Sequence, residues 1–245
     1  MGLFDFFTKT RQAQPLFFAT DIHSHIVPGI DDGAPDLAAS MSLLESMRRW
    51  GLRRVFASPH ITVGSFENTS STISEAFEPL RAEAAERFDD LHLAYSAENR
   101  VDELFLKNFA EGDLLTLPGN FVLIENSYIQ EPWSLDQIIF DMQVKGYRPI
   151  LAHPERYAYY HKRDRYTALH SAGAAFQVNL LSLAGYYGKV EKKVAEELIE
   201  KGMVDYLGTD IHRESHARAI STYLASRDYE RHRSALEGRL KNDLI

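Results

Sequence analysis

Cysteine is absent from the 245-residue chain. Disulfides, thiolate metal ligands and a cysteine nucleophile are excluded together, so any hydrolysis must start from another nucleophile. Positive charge is in short supply as well. Against 35 Asp and Glu stand 27 Lys and Arg, a formal net charge of −8. A general nucleic-acid binder is disfavoured by this balance, because phosphate backbones reward clustered cations, and no nucleic-acid partner is expected. No apolar run approaches the roughly 20 residues that span a bilayer. The aromatic start from Leu3 to Phe7 lacks the design of a secretory signal, and Phe6 stands where a myristoylation motif needs Ser or Thr. A cytoplasmic protein with no transmembrane segment is the expectation. No Pro/Gly/Ser-rich linker divides the chain, so one domain is expected.

Short apolar runs alternate with longer amphipathic stretches about seven times. Strand-like runs end at Asp21-Ile22-His23, Val55-Phe56-Ala57-Ser58, Leu93-Ala94-Tyr95-Ser96, Val122-Leu123-Ile124-Glu125, Ile150-Leu151-Ala152-His153, Phe176-Gln177-Val178-Asn179 and Tyr206-Leu207-Gly208-Thr209-Asp210. Helical spacing predicts helices over residues 35–50, 72–88, 134–145 and 189–201, and one charged surface helix over 216–240. This βα rhythm predicts an α/β protein, a small distorted TIM-like (β/α)7 barrel, with a doubly wound open sheet as the alternative. Residues 19–245 are read as a single barrel domain with a C-terminal helix, and 1–18 as an N-terminal extension.

Nearly every strand delivers a His, Asp or Glu at its carboxyl end, where parallel α/β folds build their sites. The set is His23, His25, Asp32, His60, Glu98, Glu125, His153, Asp210 and His212. His23-x-His25 and Asp210-x-His212 have strand spacing, which aims both members of each pair at one face. Four carboxylates crowded into one pocket would repel one another, and divalent cations resolve that conflict. Arg156 follows His153 closely, and its guanidinium fork matches phosphate oxygens. Asp31-Asp32-Gly33 serves equally as a turn, with Asp32 held over the metals. His92, His161, His170, His216 and His232 are read as surface residues.

Thr20-Asp21-Ile22-His23-Ser24-His25, Pro28-Gly29-Ile30-Asp31-Asp32-Gly33, Ser58-Pro59-His60, Ala97-Glu98, His153-Pro154-Glu155-Arg156 and Gly208-Thr209-Asp210-Ile211-His212 together resemble the polymerase-and-histidinol-phosphatase (PHP) superfamily. Within it they are similar to the bacterial protein-tyrosine phosphatases of capsule and exopolysaccharide synthesis, over about residues 19–220. The resemblance implies a distorted seven-stranded barrel of PHP type with two or three divalent ions, Mn or Fe, with Zn as a further candidate. The nine residues above would be the ligands, with Arg156 on the phosphate and Asp32 also in a catalytic role. A second phosphate-binding arginine is implied a few residues beyond the last Asp-x-His. Arg213 and Arg218 both depart from that spacing, and Arg218 is preferred. The implied reaction is phosphotyrosine hydrolysis by a metal-bound hydroxide, on a partner that would be a bacterial tyrosine autokinase. A small-metabolite phosphatase of histidinol-phosphate type, a phosphodiesterase and a non-catalytic, metal-stabilised docking module remain the alternatives. Phe66, Tyr128, Trp133, Tyr157, Tyr186 and Tyr187 are candidates to line a groove for the substrate ring.

Overall fold

The computed structural model describes residues 12–161 and 164–245. In chain order its elements are β1 (Thr20–Asp21), α1 (Leu37–Arg49), β2 (Arg54–Ala57), β3 (His60–Ile61), α2 (Ser70–Arg87), β4 (His92–Tyr95), β5 (Glu98–Arg100), α3 (Glu103–Glu111), β6 (Phe121–Glu125), α4 (Leu135–Val144), β7 (Arg148–Ala152), α5 (Arg165–Ser171), β8 (Ala175–Asn179), α6 (Leu180–Leu183), α7 (Lys189–Glu200), β9 (Tyr206–Gly208), α8 (Glu214–Leu224) and α9 (Arg227–Leu236). Every strand pairing is parallel, in the orders β1-β2-β4 and β3-β5-β6-β7-β8-β9.

The two sheets are the seven predicted strands with two of them broken. Ser58-Pro59 separates β2 from β3, and Ser96-Ala97 separates β4 from β5. Pro59 has no N–H to give, so the ladder shifts there. It does not end: the Ser58 N–H donates to Ser24 O, Ser96 N–H to Ala57 O and Glu98 N–H to Pro59 O. At the other seam Asp210 N–H donates to His23 O and His25 N–H to Ile211 O, which ties the last strand to the first. The result is a distorted barrel whose carboxyl-end rim carries the predicted residues.

Because helices cover the outside, strands such as β6 and β7 are buried on both faces and read as apolar runs. Alternation still sorts them. Val122, Ile124 and Leu151 join the large core beneath the helices, whereas Phe121, Leu123, Ile150 and Ala152 form a separate inner cluster with Ile22, Phe56 and Tyr206. Glu125 shares the parity of Phe121 and Leu123, so it occupies the next inward layer, at the rim. Helix α1 starts where the Asp36 carboxylate accepts the Ala39 N–H, and α2 starts on a capping box of Thr69 and Thr72.

The chain after β9 departs from the single surface helix expected over 216–240. It breaks into α8 and α9, with Ser226 capping the second by accepting the Tyr229 N–H. Beyond α9 the chain returns to the amino end of the barrel, where buried Asn242 bonds Thr20 O and Leu207 O and Ile245 enters the inner cluster. Ahead of β1, Leu16 and Phe18 are buried in the main core. The readings of Leu3 to Phe7 lie outside the described residues. No helix among the described residues is long and apolar enough to cross a membrane.

Candidate metal centre

Seven of the nine side chains singled out at the strand ends, Asp32, His60, Glu98, Glu125, His153, Asp210 and His212, line one cavity of about 320 Å3 at the carboxyl end of the barrel, and the other two, His23 and His25, are fully buried within ligand distance of them. They form four overlapping groups: His25, Asp32, His60 and His212; His23, Glu98 and His153; His23, His25 and Asp210; His60, Glu98 and Glu125. Within each group the candidate ligand atoms lie within 4.8 Å of one another.

At the floor, His23 Nε2 and His25 Nε2 are 3.2 Å apart. His23 Nε2 is 3.3 Å from Glu98 Oε2 and 3.5 Å from Asp210 Oδ1, and His25 Nε2 is 3.4 Å from each. Five of the six edges of a tetrahedron are thus 3.2–3.5 Å. Ligands tetrahedral about a cation at about 2.0–2.2 Å stand some 1.63 times that distance apart, roughly 3.3–3.6 Å. The donor set therefore fits a divalent cation, and its nitrogen and oxygen atoms suit borderline or hard metals. Higher in the cavity, Asp32 Oδ1 lies 3.5 Å from His60 Nε2 and 3.4 Å from His212 Nε2. Glu98 joins the groups: its Oε1 is 2.8 Å from His153 Nε2 and its Oε2 is 3.0 Å from His60 Nδ1. The contact with His60 lacks hydrogen-bond geometry, and both atoms are buried with no hydrogen-bond partner among the described residues. Buried polar atoms are rarely left so, and a place for a bound ion is one established reason.

Electrostatics points the same way. Burial opposes charge on His23, yet the adjoining Glu98 and Asp210 carboxylates push it up to about 9. Burial, reinforced by Glu98, pushes Glu125 up to about 8. Against the same burial, His23 and its neighbours hold Glu98 and Asp210 well below the carboxylate range. Without cations the cluster takes up protons to balance its carboxylates, so it attracts positive charge in any form.

The outer faces of the donors are also held. His23 Nδ1 bonds Gln177 Oε1 at 2.6 Å, and the Gln177 amide donates to Asn179 Oδ1, whose own amide donates to Asp210 Oδ2 at 2.6 Å. His25 Nδ1 bonds Asp31 Oδ2 at 2.8 Å, His212 Nδ1 bonds Asp210 O, and Arg100 Nε donates to Glu125 at 2.9 Å. Such partners fix ring orientation and tautomer. Asp31, Arg100, Gln177 and Asn179 were not anticipated. The available signal was two polar residues at period two inside a buried strand. His153 and Asp210 leave their strands with φ of 33° and 48°, a conformation that non-glycine residues adopt at a cost and that clusters at functional sites.

Arg156 lines the cavity, donates from Nη1 to Asp210 Oδ2 at 3.2 Å, and lies between two rings, 4.0 Å from the centroid of Tyr187 and 4.8 Å from that of Tyr128. It does not pair with Glu155, whose Oε1 accepts the Asn179 N–H. Arg213, at the start of α8, also lines the cavity. Arg218 does not. Its side chain is 67% exposed and sits 3.9 Å from Glu214 one turn earlier. Phe66, Tyr128, Tyr186 and Tyr187 line the cavity, whereas Tyr157 is fully buried beside it and Trp133 stands 98% exposed in a neighbouring groove.

Two of the histidines expected at the surface are interior. His216 is four residues past His212, so it faces the cavity, and its Nδ1 accepts the His212 N–H. His232 is on the inner side of α9 against Tyr223. His92 is exposed, and His161 and His170 are half-buried.

Comparison with known proteins agrees with this geometry. Residues 19–231 match the CpsB/CapC family of capsular polysaccharide synthesis. Tyrosine-protein phosphatase YwqE of Bacillus subtilis is 33% identical over 196 residues, 78% of this chain and 76% of that protein. Tyrosine-protein phosphatase CpsB of Streptococcus pneumoniae is 33% identical over 203 residues, 78% of this chain and 82% of that protein. A solved structure reported among those of YwqE and CpsB, described as unique metal-dependent tyrosine phosphatases, superposes with a TM-score of 0.77 at 30% identity, covering 92% of this chain and 95% of that one. Histidinol phosphate phosphatase from Lactococcus lactis, at 16% identity and a TM-score of 0.52 over 86% of this chain and 94% of its own, shares the fold. With the motifs, the barrel and the matched length in agreement, the chain belongs to the CpsB/CapC family.

Proposed function

We propose that this chain is a metal-dependent protein-tyrosine phosphatase, a phosphoric monoester hydrolase without a cysteine nucleophile, carried by one PHP-type barrel domain over residues 19–245. The observation that carries this reading is a buried His and carboxylate cluster with cation spacing under an arginine that has a free flank on the cavity. The phosphatases YwqE and CpsB are named for the same activity, and the phosphoprotein substrate proposed here is a tyrosine autokinase of polysaccharide export. Two or three divalent ions, Mn or Fe in preference to Zn, would be held by His23, His25, Asp32, His60, Glu98, Glu125, His153, Asp210 and His212. Bound there, such ions make water a nucleophile near neutral pH and offset phosphate charge.

The chain's own residues do the rest. Arg156, packed against the rings of Tyr128 and Tyr187, is placed to bind phosphate oxygens as charge builds on them. Arg213, rather than Arg218, supplies the second guanidinium at the rim. Asp32 is half exposed at the cavity mouth, and a hydrogen bond from His212 holds its carboxylate low. It therefore acts as an acceptor that orients the attacking water. The tyrosyl leaving group, with a pKa near ~10, needs little acid assistance. Phe66, Tyr186 and Tyr187 wall the side from which its ring enters.

Purified protein with added Mn is expected to hydrolyse a phosphotyrosine peptide, to lose turnover in chelator, and to lose about 100-fold or more on Arg156→Ala. Metal-replete protein that turns over no phosphoester at all would sink the proposal.

A further inference from the structure

A second groove of about 340 Å3 opens on the same rim, between the loop that follows β6 and the turn that follows β7. These are the two segments that carry Tyr128 and Arg156 into the catalytic cavity. Ile129, Pro132, Trp133 and Tyr159 supply its apolar lining. Ile129 is 88% exposed and Trp133 98%. Large apolar side chains at that exposure, gathered around one concavity, mark a surface that a partner covers. Among the described residues the groove's charges, Glu131 and Arg165, are matched to each other. Arg165 grips Glu131 through two bonds of 2.7 and 2.9 Å and donates to Asp136 at 2.9 Å. An apolar occupant would therefore leave Arg165 and Glu131 paired with each other, and among the described residues lining the groove neither charge is left free for a charged one.

Continuity with the catalytic cavity says what the occupant is. Tyr128, a wall of that cavity, is 5.7 Å from Tyr157 between ring centroids, and Tyr157 is stacked 5.7 Å from Tyr159, a wall of the groove. Two ring widths separate the sites. An extended peptide rises about 3.3 Å per residue, so a side chain about three positions from a residue seated in the cavity reaches the groove. We infer that this groove is a specificity subsite that takes an apolar side chain about three residues from the phosphotyrosine of the same peptide, with Trp133 as its anchor. The inference rests on the phosphatase reading of the neighbouring cavity.

The test uses the full-length, Mn-loaded protein with p-nitrophenyl phosphate and phosphotyrosine peptides carrying Leu or Ser at the third position on either side. For the wild type, Leu on one side should raise kcat/KM about 10-fold over Ser, mainly through KM. Trp133→Ser, at an exposed position that folding does not need, should reduce that ratio to about 1 while leaving p-nitrophenyl phosphate turnover unchanged. Equal rates for the Leu and Ser peptides, or a Leu advantage that survives Trp133→Ser, would overturn the subsite and leave the phosphatase standing. Failure of the wild type on p-nitrophenyl phosphate as well as on peptides would instead remove the reading beneath it.

Discussion

Gly208 gives the sharpest test of how the cluster is held. A Cβ added there would lie 2.6 Å from Gln177 Nε2, 2.9 Å from Gln177 Cδ and 2.9 Å from His23 Cβ. Ordinary contacts are about 3.5–4.0 Å, so Gly208→Ala demands a movement on the order of 1 Å from its neighbours. Gln177 cannot swing aside freely. It is fully buried, and its amide both accepts from His23 Nδ1 and donates to Asn179. Overpacking costs roughly 1–3 kcal/mol and each compromised hydrogen bond about 1 kcal/mol, which together predict about 2–4 kcal/mol of lost stability. For a chain of this size that is a fall in Tm of roughly 5–15 °C. Losing the partner that orients His23 should also weaken metal affinity about 10–100-fold. Mn titration of turnover reads the second effect and thermal melts in chelator read the first. Gln177→Met separates them, since it removes the bond to His23 without overpacking and should weaken Mn binding with a smaller Tm loss. Wild-type Mn dependence in both variants would refute the claim that Gln177 positions the ligand.

Three further outcomes follow from the same geometry. Arg213→Ala should lower phosphotyrosine turnover about 10-fold or more while Arg218→Ala leaves it unchanged, measured as kcat/KM under saturating Mn; the reverse ranking would return the second phosphate contact to Arg218. Chelation should lower Tm by roughly 5–10 °C, because an ion bound only by the folded state at about 100 times its Kd contributes about 2.7 kcal/mol; superimposable melts with and without chelator would argue against the cluster. His232 is held neutral by burial, its pKa lowered despite Glu196. With the folded value below the unfolded one, its contribution is complete above about pH 6.5 and is lost as pH falls. His232→Asn should therefore flatten the Tm decline between about pH 7.5 and about pH 5.5, and an unchanged slope would show that another group causes it.

Much of this molecule is readable in its sequence, and the unreadable parts share a cause. Strands such as Phe121–Glu125 are buried throughout, so they stand out as apolar runs, and their ends could be placed to within a residue or two. The ligand candidates follow, because the strand end fixes where a His or Glu arrives. Sequence distance decides less well once the chain leaves the sheet. Arg213 and Arg218 both trail His212 closely. Helix α8 begins at Glu214, and its 3.6-residue turn sets Arg218 beside Glu214 on the outer side while His216, Ala217 and Ile220 are buried. The same geometry turned His216 and His232 inward. The break between α8 and α9 has neither Gly nor Pro to mark it, and Ser226 is its one cap signal. Gln177 and Asn179 carry no ligand signal in the sequence, since neither is an expected ligand for a metal, yet amides are what a buried imidazole and a buried carboxylate need behind them.

The centre is also the least favourable part of the fold judged as packing alone. Glu98, Glu125 and Asp210 are almost completely buried within one cavity, Glu98 Oε2 and His60 Nδ1 lack hydrogen-bond partners among the described residues, and His153 and Asp210 sit in left-handed backbone. Apolar residues of similar volume would usually cost less than buried charges left so close together. Local conflicts of this kind persist in native proteins where function requires them. Cations relieve all the electrostatic conflicts at once, since they neutralise the carboxylates, give Glu98 and His60 their missing partners and remove the need to protonate His23. Arg156 remains beside them with one Nη1 bond to Asp210 and a face on the cavity. A purely structural ion would not call for that residual positive charge or for an open approach. An anion that approaches, reacts beside the metals and departs calls for both.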